Sequence, residues 1–188
     1  MELLDKIYNA QRVIAKLDEK REIFEAFVLK IHAIWEIFVE DLIVDCLNKD
    51  TSQYAEYMGI RLRKHLPRNQ CKAMVLGMSY LDFRDVSDIK GKAKNILVSQ
   101  YNPFAIIKNP ALKRMNEFYC IRNYVAHYSE PARRSLWKIY KNVYNMRRFN
   151  EPGHFLIAWD KRTKQIRFDD YIDAFFDTSI EMGEFLGV

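Results

Sequence analysis

An all-α fold with one small β-hairpin near the C-terminus is what the sequence predicts, on three observations. Apolar residues recur at helical spacing over most of the chain. Only 6 Gly and 5 Pro interrupt 188 residues, which leaves room for long helices. The period changes to strand-like alternation in one short stretch, after Phe155. The length suits a single domain over residues 1–188 with its own core. A hydrophobic share of 49% fits a compact fold and not a disordered tail. No repeat, low-complexity tract or linker divides the chain.

From Met1 to about Asn48 the pattern is helical, with a break expected at Lys20-Arg21. On a projection of about 100° per residue, Phe24, Phe27, Val28, Ile31, Ile34, Trp35, Phe38, Val39 and Leu42 share one wide face. Glu25, Glu36 and Glu40 fall on the other side. Asn48 to Ser52 reads as a helix end followed by a fresh N-cap. Two or three short helices are expected over residues 53–103, with Gly59, Pro67 and Gly91 as joints. Asn109-Pro110 opens a clear helix running to about Ser129, because proline suits a first turn. Glu130-Pro131 ends it and starts the next, an amphipathic helix over Arg133 to Phe149. Phe155 to Trp159 and Gln165 to Phe168 flank a polar turn and predict the hairpin. A helix from about Asp170 to Leu186 closes the chain.

A formal charge of +5 leans toward an anionic partner without specifying one. Cys46, Cys71 and Cys120 form no CxxC pair, so neither a disulfide framework nor a zinc site is indicated. Reduced, buried thiols in a cytoplasmic protein are the simplest expectation. The first residues carry charge too early for a signal peptide, and the apolar stretch from Ile31 to Leu47 is broken by four acids. No membrane association is expected. His32, His65 and His154 lie far apart, without HxxxH or HExxH spacing, so a metal site lacks support. Gly-rich phosphate loops and G-x-S-x-G elbows are missing too, which counts against a P-loop nucleotidase and a serine hydrolase. No cofactor is expected.

The informative segment is Arg122-Asn123-Tyr124-Val125-Ala126-His127. Leu112, Met115, Phe118, Tyr119, Val125 and Ala126 define an apolar arc, and Arg122 projects near its centre. A guanidinium buried there without partners would be costly. Asn116, Asn123 and His127 line the flank of the arc, and the last two, four apart, can meet on one surface. Each has a structural alternative. Arg122 can snorkel or pair with a neighbouring carboxylate, and His127 can serve the carbonyls and dipole of a helix end.

Arg followed by Asn, with His four residues further on, resembles the RxxxxH signature of the HEPN superfamily, in which Asn often follows the Arg. The earlier helix, with Phe24-Glu25-Ala26-Phe27 and Trp35 to Leu42, is similar to the early helix of stand-alone HEPN proteins of the RiboL-PSP and MAE type. The resemblance covers these two helices. It implies a HEPN-like helical bundle with additional short helices, and a homodimer that brings two motifs together across a cleft. It also implies metal-independent cleavage of RNA by attack of the ribose 2′-hydroxyl on the adjacent phosphate.

The residues suit that chemistry. His127 can act as general base or acid, since imidazoles change charge near neutral pH. Arg122 can stabilise the charge growing on phosphorus. Asn123 can orient the imidazole or hold a phosphate oxygen. Tyr128, Glu36 and Asn116 are candidate supporting residues, with packing or surface roles as their alternatives. Arg61, Arg63, Lys64 and Arg68, next to His65, could grip an RNA backbone, with Arg133 and Arg134 adding to a positive rim; a solvated basic surface is the alternative. The resulting expectation is an endoribonuclease of the toxin or antiviral-defence kind, restrained by a separate antitoxin or regulatory chain. The alternatives are a non-catalytic HEPN module that binds nucleotide, RNA or a protein, and a plain helical scaffold.

Overall fold

A computed structural model describes residues 17–77 and 83–187. The helix expected over residues 1–16 lies outside these. Among the described residues there are eight α-helices: α1 (Leu17–Lys49), α2 (Ser52–Met58), α3 (Arg68–Gly77), α4 (Val86–Ile96), α5 (Asn109–His127), α6 (Glu130–Tyr144), α7 (Pro152–Leu156) and α8 (Arg167–Leu186). Two 3-10 turns, Ser99–Tyr101 and Pro103–Ile106, lead into α5. The hairpin is minimal: β1 (Trp159–Asp160) pairs antiparallel with β2 (Gln165–Ile166), Trp159 opposite Ile166. The all-α expectation with a small hairpin holds.

Several boundaries differ, each for a physical reason. α1 runs unbroken through Lys20-Arg21, because two consecutive cations are good helix formers and supply no breaker. Gly91 lies inside α4, where no other group approaches it, and the chain turns at Leu97 instead. Gly59 and Pro67 do mark joints. Gly59 takes φ 65, and the Ile60 N–H returns to the Ala55 carbonyl, a left-handed helix ending. α6 stops at Tyr144, where Asn145 adopts φ 52, short of the expected Phe149. The run before the hairpin is helical: Pro152 sets the first turn of α7, and the Phe155 N–H bonds the Glu151 carbonyl. Pro152, Gly153, Phe155 and Leu156 are all buried, and a continuous buried run does not distinguish helix from strand by period.

The residues group into two compact units. Unit 1 holds the residues up to Ala33 together with Glu117–Ile172; unit 2 holds Ile34–Asn116 and Asp173–Val188. Unit 1 is aromatic at heart. Tyr140 and Phe155 stack with centroids 4.2 Å apart, Phe24 meets Phe168 edge-on at 4.8 Å, and the Arg167 guanidinium covers Phe155 at 4.5 Å. Its hairpin turn is pinned by Asp160, which accepts from the Arg162 backbone (2.9 Å) and guanidinium (2.7 Å). That bonding holds the carboxyl down to about 2.

In unit 2, Trp35 packs edge-on against Phe175 at 5.2 Å, over a core that includes Val39, Ile43, Leu47, Ile89 and Phe104. Arg68 ties the start of α3 to α1 through Asp41 (2.9 Å) and Asp45 (2.7 Å). Lys49 reaches the Leu186 carbonyl at the end of α8 (2.8 Å). Cys46 and Cys71 are buried, and burial pushes the Cys46 thiol up to about 12, which leaves it inert. Among the described residues, no helix is long and apolar enough to cross a membrane.

Candidate functional site

The motif occupies the C-terminal half of α5, within unit 1. Phe118, Tyr119, Ile121 and Val125 are buried and fix the rotation of the helix, while Ala126 is exposed. Arg122 and Asn123 are half-buried beside this stripe, and the Arg122 Nη1 donates to Asn123 Oδ1 at 3.1 Å. His127 is the last residue of the helix and is exposed.

How α5 ends determines where that imidazole stands. Tyr128 takes φ 45, a left-handed conformation uncommon for a residue with a Cβ, and its N–H bonds the Tyr124 carbonyl at 2.7 Å. Ser129 then turns extended and caps α6 by accepting from the Ala132 N–H, with Pro131 in the first turn. The left-handed residue is held by its own side chain. Tyr128 donates to Glu25 Oε2 at 2.6 Å, and Glu25 Oε1 accepts from the buried Gly153 N–H at 3.0 Å. The hydrogen bond to Glu25, together with burial, pushes the Tyr128 hydroxyl up to about 12, so it stays a donor. Beside it, Tyr124 donates to Glu151 Oε2 at 3.2 Å, its hydroxyl raised by burial and by that carboxylate.

Glu25 is a correction to the helical projection, which put it on the solvent side: it is 5% exposed. A buried carboxylate is tolerable only when its oxygens are bonded. α7 supplies the backbone donor, Tyr128 just past α5 the phenolic one, and Arg21, one turn earlier on α1, an ion-pair partner at 3.7 Å.

His32, which has no metal-ligand spacing in the sequence, stands beside the motif instead. It is buried edge-on against Tyr119, centroids 4.6 Å apart. Burial, and then the positive charge of Arg122, lower its imidazole to about 4, so it is neutral at neutral pH. A signal was available: His32 follows Val28 by four and precedes Trp35 by three, on the buried stripe of α1.

Arg122 therefore has neutral company in Asn123 and His32. Among the described residues it has no carboxylate partner, so its charge stands uncompensated in a half-buried position. His127 is likewise not engaged by any described side chain. The arrangement offers a planar cation, a neutral amide and an accessible imidazole on one helix end, which can bind an anion and move a proton.

The other candidates sort as follows. Asn116 belongs to unit 2 and serves α4: its Oδ1 accepts from the N–H groups of Val86 (3.0 Å) and Ser87 (3.3 Å), and its Nδ2 donates to Ser87 Oγ. Glu36 is exposed on the unit 2 part of α1. Arg133 and Arg134 both lean on Glu130 at 3.9 and 4.0 Å, and Arg133 lies over the Phe149 ring. Lys64 pairs with Asp50 and Arg68 with Asp41 and Asp45, whereas Arg61 and Arg63 are exposed without such partners among the described residues. No group of three or more His, Cys, Asp or Glu among the described residues is placed to hold a metal ion. No protein-family model, curated protein or solved structure matches the chain.

Proposed function

We propose that the chain is a metal-independent endoribonuclease of the HEPN kind, acting in the cytoplasm as a homodimer within a toxin or antiviral-defence system. The observation that carries this reading is Arg122, a half-buried cation without a carboxylate partner among the described residues, on the same last stretch of α5 as an exposed His127, five residues on, that no described side chain engages. A phosphate completes such a site electrostatically, and an imidazole supplies the proton transfer that phosphodiester cleavage needs.

One imidazole removes the proton from a ribose 2′-hydroxyl as O2′ bonds to phosphorus. A second protonates the departing 5′-oxygen as the P–O5′ bond breaks. The products are a 2′,3′-cyclic phosphate and a 5′-hydroxyl. A single His127 per chain serves only one of these transfers, which is the argument for two copies. Arg122 opposes the charge that grows on the equatorial oxygens, and Asn123 keeps the guanidinium in register. Glu25 and Tyr128 are positioning residues: they hold the chain reversal that follows His127.

The test is incubation of the purified protein with total RNA in EDTA, beside His127→Ala. Fragments bearing 2′,3′-cyclic ends are expected from the parent protein alone, with at least about a hundredfold loss in the variant. RNA left intact by both folded proteins overturns cleavage and leaves a binding module that lacks turnover.

A further inference from the structure

The segment between α2 and α3 is irregular, yet its backbone is fastened on one side. Thr51 N–H bonds the Lys64 carbonyl at 2.9 Å, Thr51 Oγ1 the Arg63 carbonyl at 2.6 Å, and Asn48 Nδ2 the Leu66 carbonyl at 2.7 Å. Three carbonyls are thus turned toward the end of α1 and the buried Thr51. Leu62 and Leu66 are half-buried, while Arg61, Arg63 and His65 are exposed. Lys64 leaves the set by pairing with Asp50 at 3.4 Å.

The result is a cleft of 490 Å³ in unit 2, walled by Leu62, Leu66 and Pro67 and carrying Arg61, Arg63 and His65. Gln70, from the first turn of α3, completes the lining. Among the described residues no carboxylate lines it. Among the described residues neither arginine has an ion pair, so two guanidinium groups two residues apart stand open on a fixed backbone. That combination recognises a phosphate, while the leucine and proline walls suit the flat face of a base or ribose. The cleft is open on one side, which suits a nucleotide held by its phosphate rather than enclosed.

We propose that this cleft binds a nucleoside phosphate, with Arg61 and Arg63 on the phosphate and Leu62, Leu66 and Pro67 against the sugar and base. The proposal rests on the ribonuclease reading only in taking an RNA strand as the source of that nucleotide; a free mononucleotide carries the same chemistry.

The experiment measures fluorescence anisotropy of two labelled probes, a single-stranded RNA of about 12 nucleotides and a mononucleotide. The full chain carries His127→Ala so that nothing is cut. Arg61→Ala/Arg63→Ala is compared with Arg147→Ala/Arg148→Ala, which removes the same charge from another exposed site. The expected result is a roughly tenfold weaker RNA affinity and a salt slope shallower by about 1.4 in the cleft variant only. Tight binding of the RNA alone identifies a strand site, and equal binding of the mononucleotide identifies a free-nucleotide site. Failure of the chain to bind either probe overturns the proposal. Equal losses in both double variants, or no loss in the cleft variant, also overturn it. RNA that is bound at the cleft but never cut by the parent protein refutes the cleavage reading and leaves this one. RNA that is cut while the cleft variant binds unchanged does the reverse.

Discussion

The end of α5 and the 60–67 segment solve opposite problems with the same types of group. At the end of α5 the side chains hold the backbone: a phenol, a carboxylate and a distant N–H secure a left-handed residue beside His127. Along 60–67 the neighbouring helix end and Thr51 hold the carbonyls, and the cationic side chains are left open. On the proposed reading, the ordered chain reversal fixes the backbone beside His127 and leaves its imidazole free to meet a substrate. Phosphate gripping tolerates mobile side chains on a fixed base, since Coulomb attraction falls slowly with distance.

The largest effect that separates the regions concerns pH. The unfolded chain protonates His32 below 6.5, whereas the folded chain does so only at about 4. Stability from this group is therefore complete above 6.5 and is lost as pH falls toward 4, by about 3 kcal/mol. Urea titrations at both ends of that interval should show the loss, and His32→Gln should flatten it; an equally steep variant would assign the acid sensitivity elsewhere. Glu25→Ala comes next, since it strips the buried Gly153 N–H and the Tyr128 hydroxyl of their acceptor. About 2 kcal/mol should be lost in denaturant melts, with RNA affinity at the cleft unchanged. Least of all, Arg61→Ala/Arg63→Ala should move stability by no more than about 0.5 kcal/mol, because neither side chain supports its own backbone. A larger drop would mean that the cleft arginines hold the fold and do not serve a ligand.

These differences also explain what could be read in the chain beforehand. α1, α5, α6 and α8 are long and periodic, and α5 and α6 open with a proline in the first turn, so their existence was legible and only their ends moved. α7 was not, because five residues carry no period and its seat depends on α1. The same tertiary contact reversed the assignment of Glu25: a projection sees one helix, and besides Arg21 on α1 itself the hydrogen-bond donors that make its burial tolerable come from residues 128 and 153. Arg122, Asn123 and His127 stood out by spacing, but Asn116, on the same flank, caps α4 instead. The basic cluster was visible as composition; which two arginines stay open became clear only from the partners of Lys64 and Arg68.

Glu25 and Gly153 are 128 positions apart, and a Cβ on residue 153 would overlap the Arg21 backbone. That separation has a consequence during synthesis. At roughly 5 to 20 residues per second, the α1 carboxylate leaves the ribosome many seconds before its backbone donor exists. Until then Glu25 is hydrated and α1 has no α7 against it, so the two halves of unit 1 wait for each other across more than a hundred residues of synthesis.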